Sequence, residues 1–591
     1  MFSLFSSRSP SLSTSLPSLF SLFSLLCLSL ASDPQVSTEY GDIIGFSHQD
    51  IADVFLGIPF AKPPIGELRF KNPVPPDPWT LREAKNFSAG CIPHSEDSIV
   101  NPVSEDCLYL NIIVPKKKDN NELFPVLFYV HGGGFEIGSA FRYGYKSLAE
   151  IYAARGIIVV TIQYRLGVFG FFSLPDSSLK GNYGLFDQAE ALHFIHRNIE
   201  KFGGDPSRIT VFGVSAGGAS AGMLTLSPLT RDIIAGSIEM SGSPVAAWSN
   251  DNRVEMHSED LIRAAGCQGK RSMEDIEKCV RKLTCKQIHT AVDLIFEAAF
   301  SFNFLKFAPK IDGVFAPDRY ENLIKSAPAI PVLTGIHSHE FAYFTQWNRA
   351  PTIHRAPILK HEQPKFNVDK FDMKARILLG EFLKEEEVED AVRDVLSFYI
   401  GEGYEELEGK ETPEDVKRLL EVYSHFWSDV SFNVPARLEV DARRQRGGET
   451  YVYMFEHYAD GLFDDDEPVK GSFHVNEMSY VFDLHVLKEF EWTEKEKKIR
   501  GQVQDMMESF VKTGRPSING IVWPNYSSSP SRPFIRIVSP QWKHAEHFVE
   551  NATRFWEDVM TKYSFDFVRF NPHQPHNTQI PAPPTIDHSE L

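Results

Sequence analysis

Apolar residues fall along this chain in two rhythms. Phe124-Pro-Val-Leu-Phe-Tyr-Val130, Gly156-Ile-Ile-Val-Val-Thr-Ile-Gln163 and Cys107-Leu-Tyr-Leu-Asn-Ile-Ile-Val114 are nearly unbroken apolar runs of strand length. Runs that do not alternate with polar residues suit strands buried on both faces of a sheet. Arg208-Ile-Thr-Val-Phe212, Ile330-Pro-Val-Leu-Thr-Gly335, Glu449-Thr-Tyr-Val-Tyr-Met-Phe455 and the segment from Phe534 to Val538 add further strands, and residues 40–60 read as short β elements. Between strands the apolar period lengthens to that of a helix over Tyr145–Arg155, Phe186–Phe202, Lys495–Lys512 and His544–Thr561. From Arg253 to about Leu420 the chain is helix-rich and charged. Strands alternating with helices predict an α/β fold: a large, mostly parallel central sheet, helices on both faces, and long helical insertions.

Composition narrows this picture. The chain has 591 residues, 42% of them hydrophobic, enough for a large buried core. Its formal net charge of −19 would repel phosphates, so nucleic acid is excluded as an expected partner. The N-terminus reads as a secretory signal. Arg8 is the one charge before Asp33, Leu19–Leu30 is the apolar run, and Ser29-Leu-Ala31 fits small-x-small cleavage after Ala31. The run is too short to span a bilayer comfortably, and no later stretch reaches that length without a charge, so no transmembrane anchor is expected. The expected organisation is a signal peptide (1–31), one domain (32–570) and a flexible, proline-rich and polar tail (571–591).

Cysteine usage agrees with a secretory compartment. Once Cys27 leaves with the signal, Cys91, Cys107, Cys267, Cys279 and Cys285 remain, an odd number. Chain neighbours are the simplest partners: Cys91–Cys107, with Cys267 joined to Cys279 or to Cys285. Asn86-Phe-Ser, Asn525-Tyr-Ser and Asn551-Ala-Thr are glycosylation sequons.

The candidate chemistry centres on Gly213-Val-Ser-Ala-Gly217. A strand-like run precedes it and a small-residue, then apolar, stretch follows it. Strand, sharp turn and helix form the setting in which G-x-S-x-G is a nucleophile elbow, with Ser215 as nucleophile. A serine nucleophile also needs a base, a group that orients the base, and donors for the oxyanion. His131-Gly-Gly-Gly-Phe135, directly after the Phe124–Val130 strand, offers backbone N–H groups free of side chains.

These motifs, with Ser104-Glu-Asp-Cys-Leu-Tyr-Leu-Asn111, Tyr164-Arg-Leu-Gly167, Gly181-Asn-Tyr-Gly-Leu185 and Phe202-Gly-Gly-Asp-Pro206, resemble the type-B carboxylesterase/cholinesterase family in order and spacing. With lower density the resemblance reaches Trp523-Pro-Asn-Tyr526 and so covers most of the chain. It implies an α/β-hydrolase fold and a serine carboxylic ester hydrolase that needs no cofactor. It implies an oxyanion hole of Gly133, Gly134 and Ala216, and a triad of Ser215, Glu340 and His474. It also implies the disulfides Cys91–Cys107 and Cys267–Cys279, leaving Cys285 odd. Three positions depart from the family pattern: Phe341 and Val475 stand where glycine usually follows the acid and the histidine, and Val214 stands where glutamate often precedes the nucleophile.

The family also contains non-catalytic adhesion proteins with degraded triads, typically membrane-anchored. Here all three triad residue types and the glycine loop are present, which favours the enzyme. The expected substrates are small neutral carboxylic esters, because no Trp lies between Cys91 and Cys107 to hold a quaternary ammonium and Val214 replaces the glutamate. His337, His339 and Glu340 lack the spacing of a recognised metal site, and Asp464-Asp-Asp-Glu467 lacks that of a calcium loop, so no metal is expected. The chain ends His-Ser-Glu-Leu591, one residue from an endoplasmic-reticulum retrieval signal. The expected location is the ER lumen, through a retrieval receptor, with secretion as the alternative.

Overall fold

The computed structural model describes residues 33–94, 102–116, 122–175, 177–295, 305–346, 356–518 and 520–572. The signal segment and the HSEL ending lie outside the described residues. Eleven strands form the central sheet: β1 (Phe46–His48), β2 (Ala52–Pro59), β3 (Tyr109–Pro115), β4 (Phe124–Val130), β5 (Ile158–Ile162), β6 (Gly204–Val214), β7 (Gly236–Met240), β8 (Val332–His337), β9 (Thr450–Phe455), β10 (Phe534–Ile537) and β11 (Lys543–Ala545). Their spatial order is β1-β2-β3-β5-β4-β6-β7-β8-β9-β10-β11. The seven strands from β5 to β10 run parallel, and β1–β3 and β11 close the two edges antiparallel.

The unbroken apolar runs are explained by two cores, one on each face. Along β4, Val126, Phe128 and Val130 enter one core while Leu127 and Tyr129 enter the other. Side chains alternate faces along a strand, so a strand apolar at every position is one covered on both sides. The helices that matter for the site are α1 (Tyr183–Asn198), α2 (Ala216–Leu226), α3 (Pro413–Ser428), α4 (Val434–Arg446) and α5 (Glu494–Thr513). Every residue of α2 is buried. Helices α3 and α4 are continuous through one π-helical turn, Asp429–Asn433. Such a turn widens the helix and re-aims its side chains.

The C-terminal region differs from the sequence expectation. The helix expected from His544 starts at Glu550 and ends at Tyr563, because Lys543–Ala545 instead pairs antiparallel with β10 as the edge strand. Cross-strand pairing decides this segment over its helical period. Ordered pairing also runs past residue 570, with Phe565–Asp566 against Asn571–Pro572. Among the described residues two disulfides are present, Cys91–Cys107 and Cys267–Cys279, and Cys285 is a free thiol 3.3 Å from Glu105.

Candidate active site

The parallel strands deliver the candidate residues to one end of the sheet, their carboxyl ends, where open α/β sheets place their ligands. Register aligns Val214, Met240, Gly335 and Tyr453 across β6, β7, β8 and β9. The residues just beyond them, Ser215, Ser241 and the 337–340 turn, therefore emerge side by side.

Ser215 sits between β6 and α2 with φ 61° and ψ −127°, a region that non-glycine residues occupy only when the surroundings impose it. Its N–H donates to Met240 O at 2.8 Å. The flanking glycines are sterically required. A Cβ on Gly213 would lie 2.0 Å from the Gly217 carbonyl, and one on Gly217 would lie 2.1 Å from Val130 O. Strand β6, helix α2 and the end of β4 are thus packed backbone to backbone around the serine.

The glycine loop follows β4 and abuts this turn: a Cβ on Gly132 would lie 3.1 Å from Ser215 Cβ. Gly133 and Gly134 have φ of 118° and 61°, open to glycine. Among the described residues their N–H groups donate to no protein acceptor. Ala216 is the first residue of α2, where an N–H has no intrahelical partner. His131 anchors the loop. Its ring stacks on Tyr164 with centroids 4.5 Å apart, and Tyr164 Oη donates to His131 O at 2.8 Å. Burial holds its pKa down to about 4, so it stays neutral.

The three residues singled out on the resemblance form one hydrogen-bonded chain. His474 Nε2 is 2.7 Å from Ser215 Oγ, and His474 Nδ1 is 2.7 Å from Glu340 Oε2. Glu340 lies just after β8 and is fully buried; His474 is 3% exposed. The two loops are tied together, since His474 N–H donates to Glu340 O at 3.2 Å and His339 N–H to Ser472 O at 2.8 Å. Phe341 has an ordinary φ of −83° and stacks on Trp427 at 5.0 Å, so nothing at this position requires glycine. Val475 has φ 67°, a left-handed conformation that costs a β-branched residue about 1–2 kcal/mol.

Behind Glu340 lies a polar layer that sequence reasoning missed. Ser241 Oγ donates to Glu340 Oε1 at 2.6 Å, and His337 N–H donates to the same oxygen at 2.7 Å. The His337 ring is completely buried, with Nδ1 3.0 Å from Ser241 Oγ and 3.3 Å from Glu340 Oε1, and Nε2 2.7 Å from Glu477 Oε2. Nδ1 thus faces two acceptor oxygens and Nε2 lies against the Glu477 carboxylate, surroundings that favour a proton on both ring nitrogens. Burial alone would lower the pKa of His337, but Glu477 and then Glu340 reverse this and raise it to about 10. Burial likewise opposes the charge on Glu340, yet His337 outweighs it and holds the carboxyl well below its usual range. Ser241 follows β7, His337 ends β8 and Glu477 lies three residues after His474, so the three meet only in the fold.

Aromatic side chains wall the site. Phe432, carried on the π-helical turn, lies 4.6 Å from the His474 ring and Phe344 lies 5.4 Å from it. Trp248 packs 5.6 Å from Phe432 and donates Nε1–H to Ser431 O. The rings packed on His474 are therefore apolar, and Val214 leaves no carboxylate at the position before Ser215.

A parallel sheet with a strained serine turn, a glycine loop and a Ser–His–Glu chain at its carboxyl end defines the α/β-hydrolase class. Residues 32–556 match the model of the Carboxylesterase family, and the chain belongs to that family. It is 37% identical to Gut esterase 1 of Caenorhabditis elegans over 546 residues, 90% of this chain and 94% of that one. It is 31% identical to a medium-chain fatty acyl-CoA hydrolase precursor of Anas platyrhynchos over 564 residues (91% and 94%). It is also 31% identical to Liver carboxylesterase 1 of Mus musculus over 582 residues (92% and 96%). The chain is a carboxylic ester hydrolase by family. Among the described residues, no helix is long and apolar enough to cross a membrane.

Proposed function

We propose that the protein hydrolyses neutral carboxylic esters through an acyl-enzyme on Ser215. The observation that carries this is the continuous chain from Ser215 Oγ through His474 to buried Glu340, with both links at 2.7 Å. Ser215 attacks the ester carbonyl as His474 Nε2 takes its proton. Glu340 holds the Nδ1–H tautomer and stabilises the cation that forms. The N–H groups of Gly133, Gly134 and Ala216 receive the oxyanion, a contribution on the order of 10²–10³ in kcat for each donor. His474 then protonates the departing alcohol and activates water to release the acid. No step calls on a cofactor.

The aromatic rings beside His474 and the absence of a carboxylate at position 214 favour neutral acyl and alcohol groups over cationic ones. The test is an organophosphate that reports a phosphorylated serine: wild type should be labelled once, on Ser215, and Ser215→Ala should be neither labelled nor active. Label on another residue, or activity surviving in Ser215→Ala, overturns the assignment.

We further infer entry into the secretory pathway through residues 1–31, and retention in the ER lumen through the HSEL ending. Deleting the last four residues should move the protein from cell lysate to medium; equal secretion of both forms would mean a secreted esterase. Asn86 and Asn551 are exposed and suited to glycans. Asn525 is half-buried, with Oδ1 accepting from Thr450 N–H and Ser527 N–H, and is a poorer acceptor site.

A further inference from the structure

Two residues beyond His337, His339 meets two side chains from a distant helix, Glu421 and His425. His339 Nε2 is 3.3 Å from Glu421 Oε1, and His425 Nε2 is 3.9 Å from the same oxygen. One donor atom from each residue lies within 4.8 Å of the other two. Glu421 and His425 are one turn apart on α3, so a rigid helix holds both on one face. His339 Nδ1 is 2.9 Å from Ser338 Oγ, which orients the ring and leaves Nε2 directed at the cluster. The backbone of Gly471 closes the other side of that ring: a Cβ there would lie 2.1 Å from Nδ1.

We propose that His339, Glu421 and His425 form a binding site for a divalent cation of the zinc class, separate from the Ser215 chemistry. Two imidazoles and one carboxylate are the donors that suit borderline metals such as zinc, whereas calcium and magnesium ask for oxygen. In a tetrahedral site with bonds of about 2.0–2.1 Å, donor atoms sit about 3.3 Å apart. The His339–Glu421 edge already has that length, and rotation of the half-exposed His425 closes the second. The side chains are 14%, 50% and 34% exposed in the order His339, Glu421, His425, so the ion has a path in and a fourth position open to water. Ser338 Oγ supplies the outer hydrogen bond that metal-bound histidines need on their second nitrogen.

The site would be coupled to the esterase by position. His339 immediately precedes Glu340, and its N–H ties the loop to Ser472, two residues before His474. Helix α3 runs on through the turn that presents Phe432 to the His474 ring. A bound ion would cross-link these two supports and stiffen the loop that carries the acid. The sequence expectation of no metal overlooked the cluster because its members lie 82 and 86 residues apart.

The experiment titrates zinc into the full-length mature protein, without a histidine tag, by calorimetry at pH 7.5. The protein is stripped with chelator beforehand. Glu421→Gln alters an exposed side chain and His425→Asn a half-exposed one, and circular dichroism in chelator checks that both fold. Expected are one strong zinc per wild-type chain, a rise in melting temperature on binding, and a tenfold or greater loss of affinity in each variant. Cobalt in place of zinc should give the visible absorption of a tetrahedral ion in wild type, weakened in both variants. Wild type that binds no zinc at micromolar concentrations, or variants that bind as tightly as wild type, would overturn the proposal.

Discussion

Replacing His337 with asparagine tests the buried charge layer behind Glu340. The imidazolium separates two carboxylates in a region where all three side chains are 1% exposed or less. Asparagine can donate toward Glu340 or Glu477 but cannot neutralise either. Removing one member of a buried ion pair strands the other charge and costs about 3–5 kcal/mol. The pH dependence is the sharper readout. The folded-state pKa of His337 is raised, to about 10 from an unfolded value near 6.5. Its stabilisation is therefore complete below pH 6.5 and is lost as pH rises toward 10. Between pH 6.5 and 9 the unfolded chain releases the proton while the folded protein keeps it. Wild type should lose about 1.4 kcal/mol per pH unit from this group, roughly 3 kcal/mol across the window. The attraction to Glu340 is the same energy seen from the other partner and is counted once. Tyr129 and Tyr453 also face Glu477, but burial raises both far above this range, so neither titrates within it. Urea unfolding at pH 6.5, 7.5 and 9 gives the difference between wild type and His337→Asn. The gap should be widest at pH 6.5 and narrow steadily toward pH 9. The acid limb of kcat/KM should also move to higher pH, because a cation has been removed from behind Glu340. Parallel stability curves for the two proteins would refute the imidazolium.

Glu340→Gln should lower kcat sharply with little change in KM, since a neutral amide cannot stabilise the imidazolium formed on His474; kinetics with a chromogenic acetate ester measure both, and a near-silent result would move the role elsewhere. Gly217→Ala should abolish activity, because its Cβ would lie 2.1 Å from Val130 O and push the serine turn away from the glycine loop; organophosphate labelling reports the loss. Val475→Gly should change stability by no more than about 1 kcal/mol and keep activity, because relief of the left-handed strain offsets lost packing; thermal melting and kcat/KM check it. Acetylcholine and its uncharged isostere should give similar kcat/KM, since a desolvated cation–π contact worth about 2 kcal/mol has no tryptophan between Cys91 and Cys107 to supply it.

Much of this protein was legible one stretch at a time. The buried strands announced themselves because a sheet covered on both faces needs apolar residues at every position, as in Phe124–Val130. The turn at Ser215 and the loop at His131–Phe135 were legible because their geometry depends on glycine, and glycine is visible in a sequence. Where tertiary pairing competed with local period, as at Lys543–Ala545, local reading failed. Glu340 and His474 could be nominated on family resemblance alone, since a lone Glu or His carries no signature of its partner. The tertiary structure decided which of the clustered residues at 337–340 faces what. His337 turns inward to bridge two carboxylates, Glu340 reaches His474, and His339 turns outward to Glu421 and His425. The turn after β8 breaks the strand's alternation, so His337 and His339 meet different partners, and Glu421, His425, His474 and Glu477 come from 82 to 140 positions away. Steric rules that act between adjacent residues are written in the local sequence, whereas charge pairing and metal-ligand convergence arise when distant segments are brought to the same end of a sheet.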